Sequence, residues 1–531
     1  MSKKPQPSHA VSRRAVFQAG TFAAAASFLS STAPGAVRLP TRGKGPNVYE
    51  RIGVKPFINC TSTRTMNGGS AALPEVAEAV YEASFYHVNL QELLEKAGPH
   101  IAGLLKVPAA MVSTGAAGAL TCATLACMAG GDIETLQQLP NTDRIKDEVV
   151  AIGYSRSVYD HAIRMTGAKI VDVFRPEDLK RAFGPQTFMA FAGQEIQAAD
   201  SPISVEAFVK AAHDHGVPVL VDAASELPLV PDPFLSRGVD MVAYSGGKSL
   251  KGPQTTGLLL SNRKDLAEAA YIGSAPHHTF ARPLKVSKEE VMGLIAAVES
   301  LVSNRNVADE NGMFKQWLSH IIGRITQVPG VEARMIEPPR PGYYPTMHVE
   351  WDTNKIGLVA REVGEQMLNG EPRIMTHAYP KELDPTSAEG NSFLIRPMAM
   401  YSDDHKVVAE RLYEVFSNAP GPKPEKRLAA PAGTLDGHWE LEVTFVAGQA
   451  KHTMYLQNKG NEIRGLHRGR ITQGKVEGEI DGDHVYFESR GKYEAAALNY
   501  YFEGTLRGNE MSGGLGFGEY GKGSWKAKRV G

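Results

Sequence analysis

The chain has 531 residues, more than one compact core accommodates, so two or more domains are expected. Apolar residues make up 42%, charged residues 22%, and the net charge is -1, which leaves no domain-wide basic excess to release counterions from a phosphate backbone and argues against a nucleic-acid partner. Its three cysteines, Cys60, Cys122 and Cys127, are odd in number and lack CxxC spacing, which argues against a disulfide framework and a zinc site; they read as small buried apolar residues, and no metal centre is expected.

Residues 1 to 36 differ from everything after them. Ser12, Arg13 and Arg14 precede an apolar stretch from Ala15 to Leu29, and small residues follow near Ala33 to Ala36. The stretch is too short to cross a bilayer comfortably, so no stable membrane span is expected. Charged, apolar and small-residue regions in this order resemble a twin-arginine export signal, which carries folded proteins to the periplasm. A disordered basic tail preceding alanines is the plainer alternative.

From about Asn47 to Asn418 strand-like runs alternate with helical periodicity. "AAMVST" (109 to 114) leads into the Ala- and Gly-rich helix candidate "GAAGALTCATLACMAGG", and "EVVAIG" (148 to 153) into "VYDHAIRMTG". There follow "KIVDVF", "TFMAFAG", the helix candidate "SVEAFVKAAHDHG", "VPVLVDAA", "VDMVAYSGG" and "GLLLSN". Strand, helix, strand in succession requires crossover connections, and therefore an α/β fold with a mainly parallel sheet covered by helices. We divide this region into a large domain, 47 to 300, and a small subdomain, 301 to 418. His213 and His215 sit two apart at a helix end, do not share a face, and read as solvated, not as metal ligands.

Ligands of such sheets collect at the carboxyl ends of strands, and three of these ends carry suggestive chemistry. At "STGAAGALT", Ser113, Thr114, Gly115 and Ala116 form a strand-to-helix turn whose free N–H groups and helix dipole suit a phosphate. "VPVLVDAASE" ends its apolar run on Asp222, and "AYSGGKS" brings Lys248 to the end of another, with Ser245 and Gly247 just before it. Taken alone, Asp222 reads equally as a helix cap and Lys248 as a turn lysine. Together they are what pyridoxal 5'-phosphate needs: a lysine to bond its aldehyde and a carboxylate to keep its ring nitrogen protonated, which makes the ring an electron sink for a carbanion.

Beyond Asn418 the composition changes. "NAPGPKPEKRLAAPAG" (418 to 433) holds a Pro- and Ala-rich linker, 419 to 433. From residue 434 to 531 the strand candidates "HWELEVTF", "HTMYLQN", "NEIRGLHRGRI", "HVYFESR", "LNYYFEGTL" and "GSWKAKR" are separated by turn signals, as in a small antiparallel, lipocalin-like β-barrel. No catalytic constellation is visible in it, and packing, oligomer contact and ligand capture remain equal readings.

"DAASELPLVPDPFLSRGVDMVAYSGGKSLKGPQTTGLLL" resembles the fold-type-I pyridoxal-phosphate-dependent group that includes selenocysteine synthase (L-seryl-tRNA selenium transferase) and D-glucosaminate-6-phosphate ammonia lyase. "GVKPFINCTSTRTMNGGSAALPEV", "YDHAIRMTGAKIVDV" and "ARPLKVSKEEV" are similar to it too, so the resemblance covers most of residues 47 to 418. It implies Lys248 as the Schiff-base residue and Asp222 as the partner of the ring nitrogen. It also matches Arg282 and Lys285 to basic positions facing the substrate phosphate in the selenium-transferase relatives, although a lysine is a point charge and not a planar fork. Arg396, in "SFLIRPMAMYS", stands where such enzymes commonly hold the substrate α-carboxylate, an edge-strand arginine facing solvent being the alternative; Arg64 in "TSTRTMNGG" is a further candidate. The resemblance further implies a homodimer or higher homo-oligomer, with His277 and His278 near a neighbour's site.

The reading is therefore a pyridoxal-phosphate-dependent enzyme acting on a small amino acid through an α-carbanion, by β-elimination, ammonia-lyase or selenium-transferase-like β-replacement chemistry. Racemase, aldolase and aminotransferase reactions use the same residues and stay open. A non-catalytic ligand-binding protein on the same scaffold is the alternative of another class, against which an intact Asp222 and Lys248 argue.

Overall fold

Uninterrupted apolar runs, not alternating ones, build the strands of the main sheet, because both of its faces are covered. A computed structural model describes residues 47 to 376, 389 to 424 and 427 to 530; the export signal read in residues 1 to 36 lies outside the described residues. After a two-residue strand, β1 (Ile58–Asn59), come β2 (Ala109–Thr114), β3 (Glu148–Ile152), β4 (Lys169–Val173), β5 (Thr187–Gly193), β6 (Val219–Asp222), β7 (Met241–Ser245) and β8 (Thr256–Ser261). β2 to β8 form one seven-stranded sheet in the order β2-β8-β7-β6-β5-β3-β4. β4, β3, β5, β6 and β7 pair in parallel, and β8 runs antiparallel to both β7 and β2. All seven residues of β5 are buried.

Local signals set the helices that cover this sheet. Ser204 caps the helix Val205–His213 by accepting from the Ala207 N–H, and Ser287 with Glu290 forms a capping box at the start of Lys288–Ser303. The helix Gly115–Ala129 is buried almost all round from Ala116 to Ala126, which its run of Ala, Gly, Thr and Cys permits in a narrow gap against β2, β7 and β8. Cys122 is buried within it and Cys60 elsewhere, while Cys127 is half-buried. His213 and His215 are both exposed, as read; His213 Nε2 lies 2.7 Å from Asp240 Oδ2, and His215 stacks on Phe183.

The small subdomain is a second core. β9 (Val331–Ile336), β10 (Thr346–Trp351), β11 (Ile374–Met375) and β12 (Ser392–Ile395) belong to it, with β12-β10-β9 forming an antiparallel sheet packed by the helices Val307–Ile325 and Asp404–Ser417. β1 pairs with β11, and Ile58 and Cys60 pack into this core, so a segment assigned by sequence to the large domain is shared with the small one. A two-residue strand carries no periodicity by which to detect the exchange.

The C-terminal region closes into a barrel of eight antiparallel strands, β13 (Gly437–Phe445), β14 (Gly448–Lys459), β15 (Glu462–Arg468), β16 (Gln473–Asp481), β17 (His484–Tyr493), β18 (Ala496–Arg507), β19 (Glu510–Gly516) and β20 (Lys522–Arg529), with β20 returning to β13. Alternation holds: Trp439, Leu441 and Val443 point inward from β13. Trp439, Phe487, Phe502 and Trp525 fill the interior. Six strand segments were expected, and β16 and β19 are additional. Both are glycine-rich, and their glycines are required by packing: a Cβ at Gly478 would lie 2.2 Å from the Tyr486 carbonyl oxygen, and one at Gly513 would lie 1.9 Å from that of Glu503.

Candidate active site

The segments after β6 and β7 reach one cavity of about 770 Å³, lined by Ser225 from the first and Lys248 from the second. The loop after β7 is fastened at several points. Gly246 N–H donates to Thr256 O (2.8 Å), Gly252 N–H to Gly246 O (2.8 Å) and Lys251 N–H to Lys248 O (3.0 Å). Gly247 O accepts from the Ser70 N–H at 3.2 Å and from its hydroxyl at 3.0 Å. A Cβ on Gly247 would lie 2.2 Å from Gln254 Cα, so the loop's own return demands a glycine there.

Beneath the loop lies a buried ionic cluster that the sequence did not reveal. Arg305 donates to both oxygens of Glu310 at 2.9 and 3.0 Å, and its remaining nitrogen donates to the carbonyls of Ser249 and Leu250 at 3.2 Å each. Lys251, in the left-handed region at φ 60°, is 1% exposed, and its Nζ sits 3.6 Å from Glu310, an ion pair longer than a hydrogen bond. Burial pulls its ammonium down to about 8, against the pull of Glu310. The Arg305 fork thus holds the two residues that follow Lys248.

Lys248 is half-buried, and burial lowers its pKa while Asp222 and Glu195 oppose that shift. Asp222 is pushed the other way by burial, with Lys248 and the Ala224 N–H pulling it back; that N–H donates to Oδ1 at 3.1 Å. Two carboxylates facing one lysine leave a site that favours one more positive charge, the charge a protonated pyridine nitrogen brings. Glu195 was missed, yet it carries the signal that marked Asp222: an acid immediately beyond an apolar strand, in "TFMAFAGQE". Tyr159 places its ring centroid 5.5 Å from Lys248 Nζ. Gln194, also missed, bonds Ser225 at 2.7 Å and the Tyr343 hydroxyl at 2.9 Å, fixing two residues of the cavity wall.

The β2-to-helix turn has the chemistry of an anion cradle. Thr114 gives the helix Gly115–Ala129 no side-chain cap, and the first turn contains no acid. Its hydroxyl is within 2.9 Å of the carbonyls of Leu284 and Lys285 instead, and the Ser113 hydroxyl donates to Gly115 O at 2.9 Å. At Gly115, φ +62°, a Cβ would project into open space, so nothing of the protein fills the position. The N–H groups at Ala116 and beyond are left for an outside acceptor, as a phosphate requires. Ser245, at the end of β7, is buried. These residues fit pyridoxal 5'-phosphate: Lys248 for its aldehyde, Asp222 for its ring nitrogen, and residues 113 to 116 for its phosphate.

Of the predicted substrate residues, Arg64 and Arg396 line the Lys248 cavity and Arg282 and Lys285 do not. Arg396 follows β12, and its N–H donates to Cys60 O at 2.9 Å, so the β1 exchange between domains is what carries it there. The backbone of Lys285 rests on Thr114, at the cradle, while its side chain is exposed. His277 packs edge-on against Tyr271 with ring centroids 4.8 Å apart, and His278 is exposed.

Fold and site together define a pyridoxal-phosphate-dependent enzyme of fold type I. The Aminotransferase class-V family model matches residues 201 to 287, the stretch that holds Asp222 and Lys248. The chain is 27% identical over 402 residues to 5'-C-glycyluridine monooxygenase-decarboxylase of a Streptomyces species, covering 73% of this chain and 94% of that one. It is 27% identical over 367 residues to D-glucosaminate-6-phosphate ammonia lyase of Salmonella typhimurium, covering 66% and 96%, and 28% identical to L-seryl-tRNA(Sec) selenium transferase of Moorella thermoacetica over 48% and 57%. A solved D-glucosaminate-6-phosphate ammonia-lyase superposes with a TM-score of 0.60 at 25% identity, covering 99% of that chain and 70% of this one. These findings place the chain among the fold-type-I pyridoxal-phosphate enzymes, with pyridoxal 5'-phosphate as cofactor and amino-acid chemistry as its work.

Two outcomes test the residue roles. The protein should show a visible absorption band that borohydride abolishes, with the reduced cofactor recovered on the tryptic peptide containing Lys248; Lys248→Ala should hold the cofactor only non-covalently, and label recovered on another lysine contradicts the assignment. Asp222→Asn keeps the shape but removes the charge opposite the ring nitrogen, so turnover should fall by on the order of a hundredfold or more while the folded state persists. Activity within a few-fold of the unaltered enzyme would transfer the role to another acid, Glu195 first.

Proposed function

We propose that the protein is a lyase that labilises the α-proton of a small amino acid and expels a β-substituent or ammonia. The observation that carries this is Lys248 in one cavity with Arg64 and Arg396 on its wall, within electrostatic reach of the Asp222 and Glu195 carboxylates. When bound, pyridoxal phosphate supplies the electron sink for the pair left by the α-proton. Arg396 receives the substrate α-carboxylate and so fixes which bond at the α-carbon faces the cofactor. Asp222 holds the proton on the ring nitrogen. Burial holds the Lys248 amine below its ordinary pKa, which favours the neutral form that accepts a proton at the α-carbon.

Elimination is preferred over β-replacement because an ammonia lyase is matched over 96% of its length and the selenium transferase over 57% of its own. Incubating the purified enzyme with a panel of D- and L-amino acids should release ammonia and a keto acid in equal amounts from at least one member. The inverted enantiomer without ammonia identifies a racemase, and amino-group transfer to an added keto acid identifies an aminotransferase; either outcome overturns the lyase reading.

The protein acts in the periplasm as at least a dimer, in this reading. Support for export is the order of regions in residues 1 to 36. Support for assembly is the exposed apolar surface of Tyr81, Phe85, Tyr86 and Val88, together with exposed Met66 on the cavity rim, which a second copy would cover. The cofactor binds folded protein, so loading precedes transport. Changing Arg13 and Arg14 together to Lys should leave cofactor-loaded dimer in the cytoplasm. Protein still found beyond the inner membrane contradicts the export reading, and a loaded monomer contradicts the assembly.

A further inference from the structure

The barrel presents one end to the catalytic cleft, where one of its turns is held by an ion pair and another supplies a residue to the cavity wall. In the turn between β17 and β18, Glu494 receives the Arg156 guanidinium at 2.6 Å. The Arg156 side chain is 5% exposed and also pairs with Asp160 at 2.6 Å and Asp172 at 2.7 Å. Burial disfavours its charge, and the three carboxylates more than compensate, so its pKa rises. An arginine closed in by three acids is an anchored junction and not a passing surface pair. Between Arg156 and Asp160 lies Tyr159, whose ring faces Lys248, so the barrel is fastened to the segment that forms a wall of the site.

The second contact is in the turn between β19 and β20, the single helical turn Gly518–Tyr520. Its Glu519 lines the same cavity as Lys248, Arg64, Arg396 and Tyr159. The solved ammonia-lyase matched above is covered over 99% of its length by 70% of this chain, so a barrel-borne wall is not part of what the two share. The catalytic domains contribute two arginines, a lysine and Glu337 to the cavity wall, Glu337 being paired with Lys315 at 2.6 Å, and the barrel adds a second carboxylate, Glu519.

From this arrangement we infer that the barrel is a working wall of the catalytic cleft, and that Glu519 selects amino acids whose side chain ends in a cation. The inference rests on the amino-acid reading above. A substrate with its α-carboxylate at the arginines extends its side chain away from them, and the anion it then meets is Glu519. A neutral side chain forgoes a charge-assisted hydrogen bond there, and an anionic one is repelled.

The experiment uses the full-length, cofactor-loaded protein and three probes of similar length, ornithine, norvaline and glutamate, each in both enantiomers. Binding is read by calorimetry and by the shift of the visible band, so it does not depend on turnover. Ornithine should bind about tenfold more tightly than norvaline, the discrimination of one charge-assisted hydrogen bond, and glutamate most weakly. Glu519→Gln should bring ornithine to the level of norvaline without altering retained cofactor, and Glu519→Lys should reverse the order of ornithine and glutamate. Glu494→Lys, outside the cavity, should weaken the preference by loosening the junction with Arg156. Equal binding of ornithine and norvaline to the unaltered protein overturns the inference alone, as does a preference that survives in Glu519→Gln. A loaded protein that binds no amino acid of this set or of the wider panel overturns the amino-acid reading and this inference with it.

Discussion

An ammonium group held partly out of water at the end of a parallel strand is unfavourable unless the chain fixes both its position and its counter-charges. Lys248 meets the first condition through a loop bonded to β8 at Thr256, to Ser70 from a distant part of the chain, and to Arg305 from below. Asp222 and Glu195 meet the second. Because burial lowers the amine's affinity for a proton and the carboxylates only partly restore it, the group is kept reactive by its surroundings. The sheet order, the clamped loop and the small subdomain all serve that one placement.

The ionic cluster under the loop shows how rigidity is obtained where apolar packing alone is insufficient. Carbonyls following Lys248 point into the interior and need donors, which a planar guanidinium supplies while pairing with Glu310. Against burial, the Arg305 fork, with Lys251 as a second buried cation on the same carboxylate, holds Glu310 below its ordinary pKa. Such clusters define one arrangement of the loop, because any displacement would strand a charge in a low-dielectric interior.

Domain exchange does comparable work on the substrate side. Ile58 and Cys60 pack with the small subdomain, and the pairing of Cys60 with Arg396 ties an early segment to a late one. Arg64 lies a few residues further on and enters the same cavity. Closing the barrel removes the exposed edges that an open antiparallel sheet of eight strands would present, so a domain of this kind can stand beside an active site without offering strands to other chains.

What the sequence determined by itself is whatever depends on neighbouring residues. Continuous apolar runs separated by helical periods required a mainly parallel sheet, alternation after residue 434 required an antiparallel one, and an acid and a lysine closing two such runs pointed to the cofactor. Cues of the same local kind led to the turn at 113 to 116. Only the tertiary structure decided the rest. β16 and β19 escaped because glycine, needed there for close backbone approach, erases the strand signal. Folding alone decided which of the four candidate basic residues, Arg64 and Arg396, share the Lys248 cavity within one chain. Arg305, Glu310 and Glu519 each lie more than fifty positions from Lys248. Electrostatics and hydrogen bonding act over a few ångströms of space, whatever the separation along the chain, so residues brought together only by folding leave no pattern in the sequence to read.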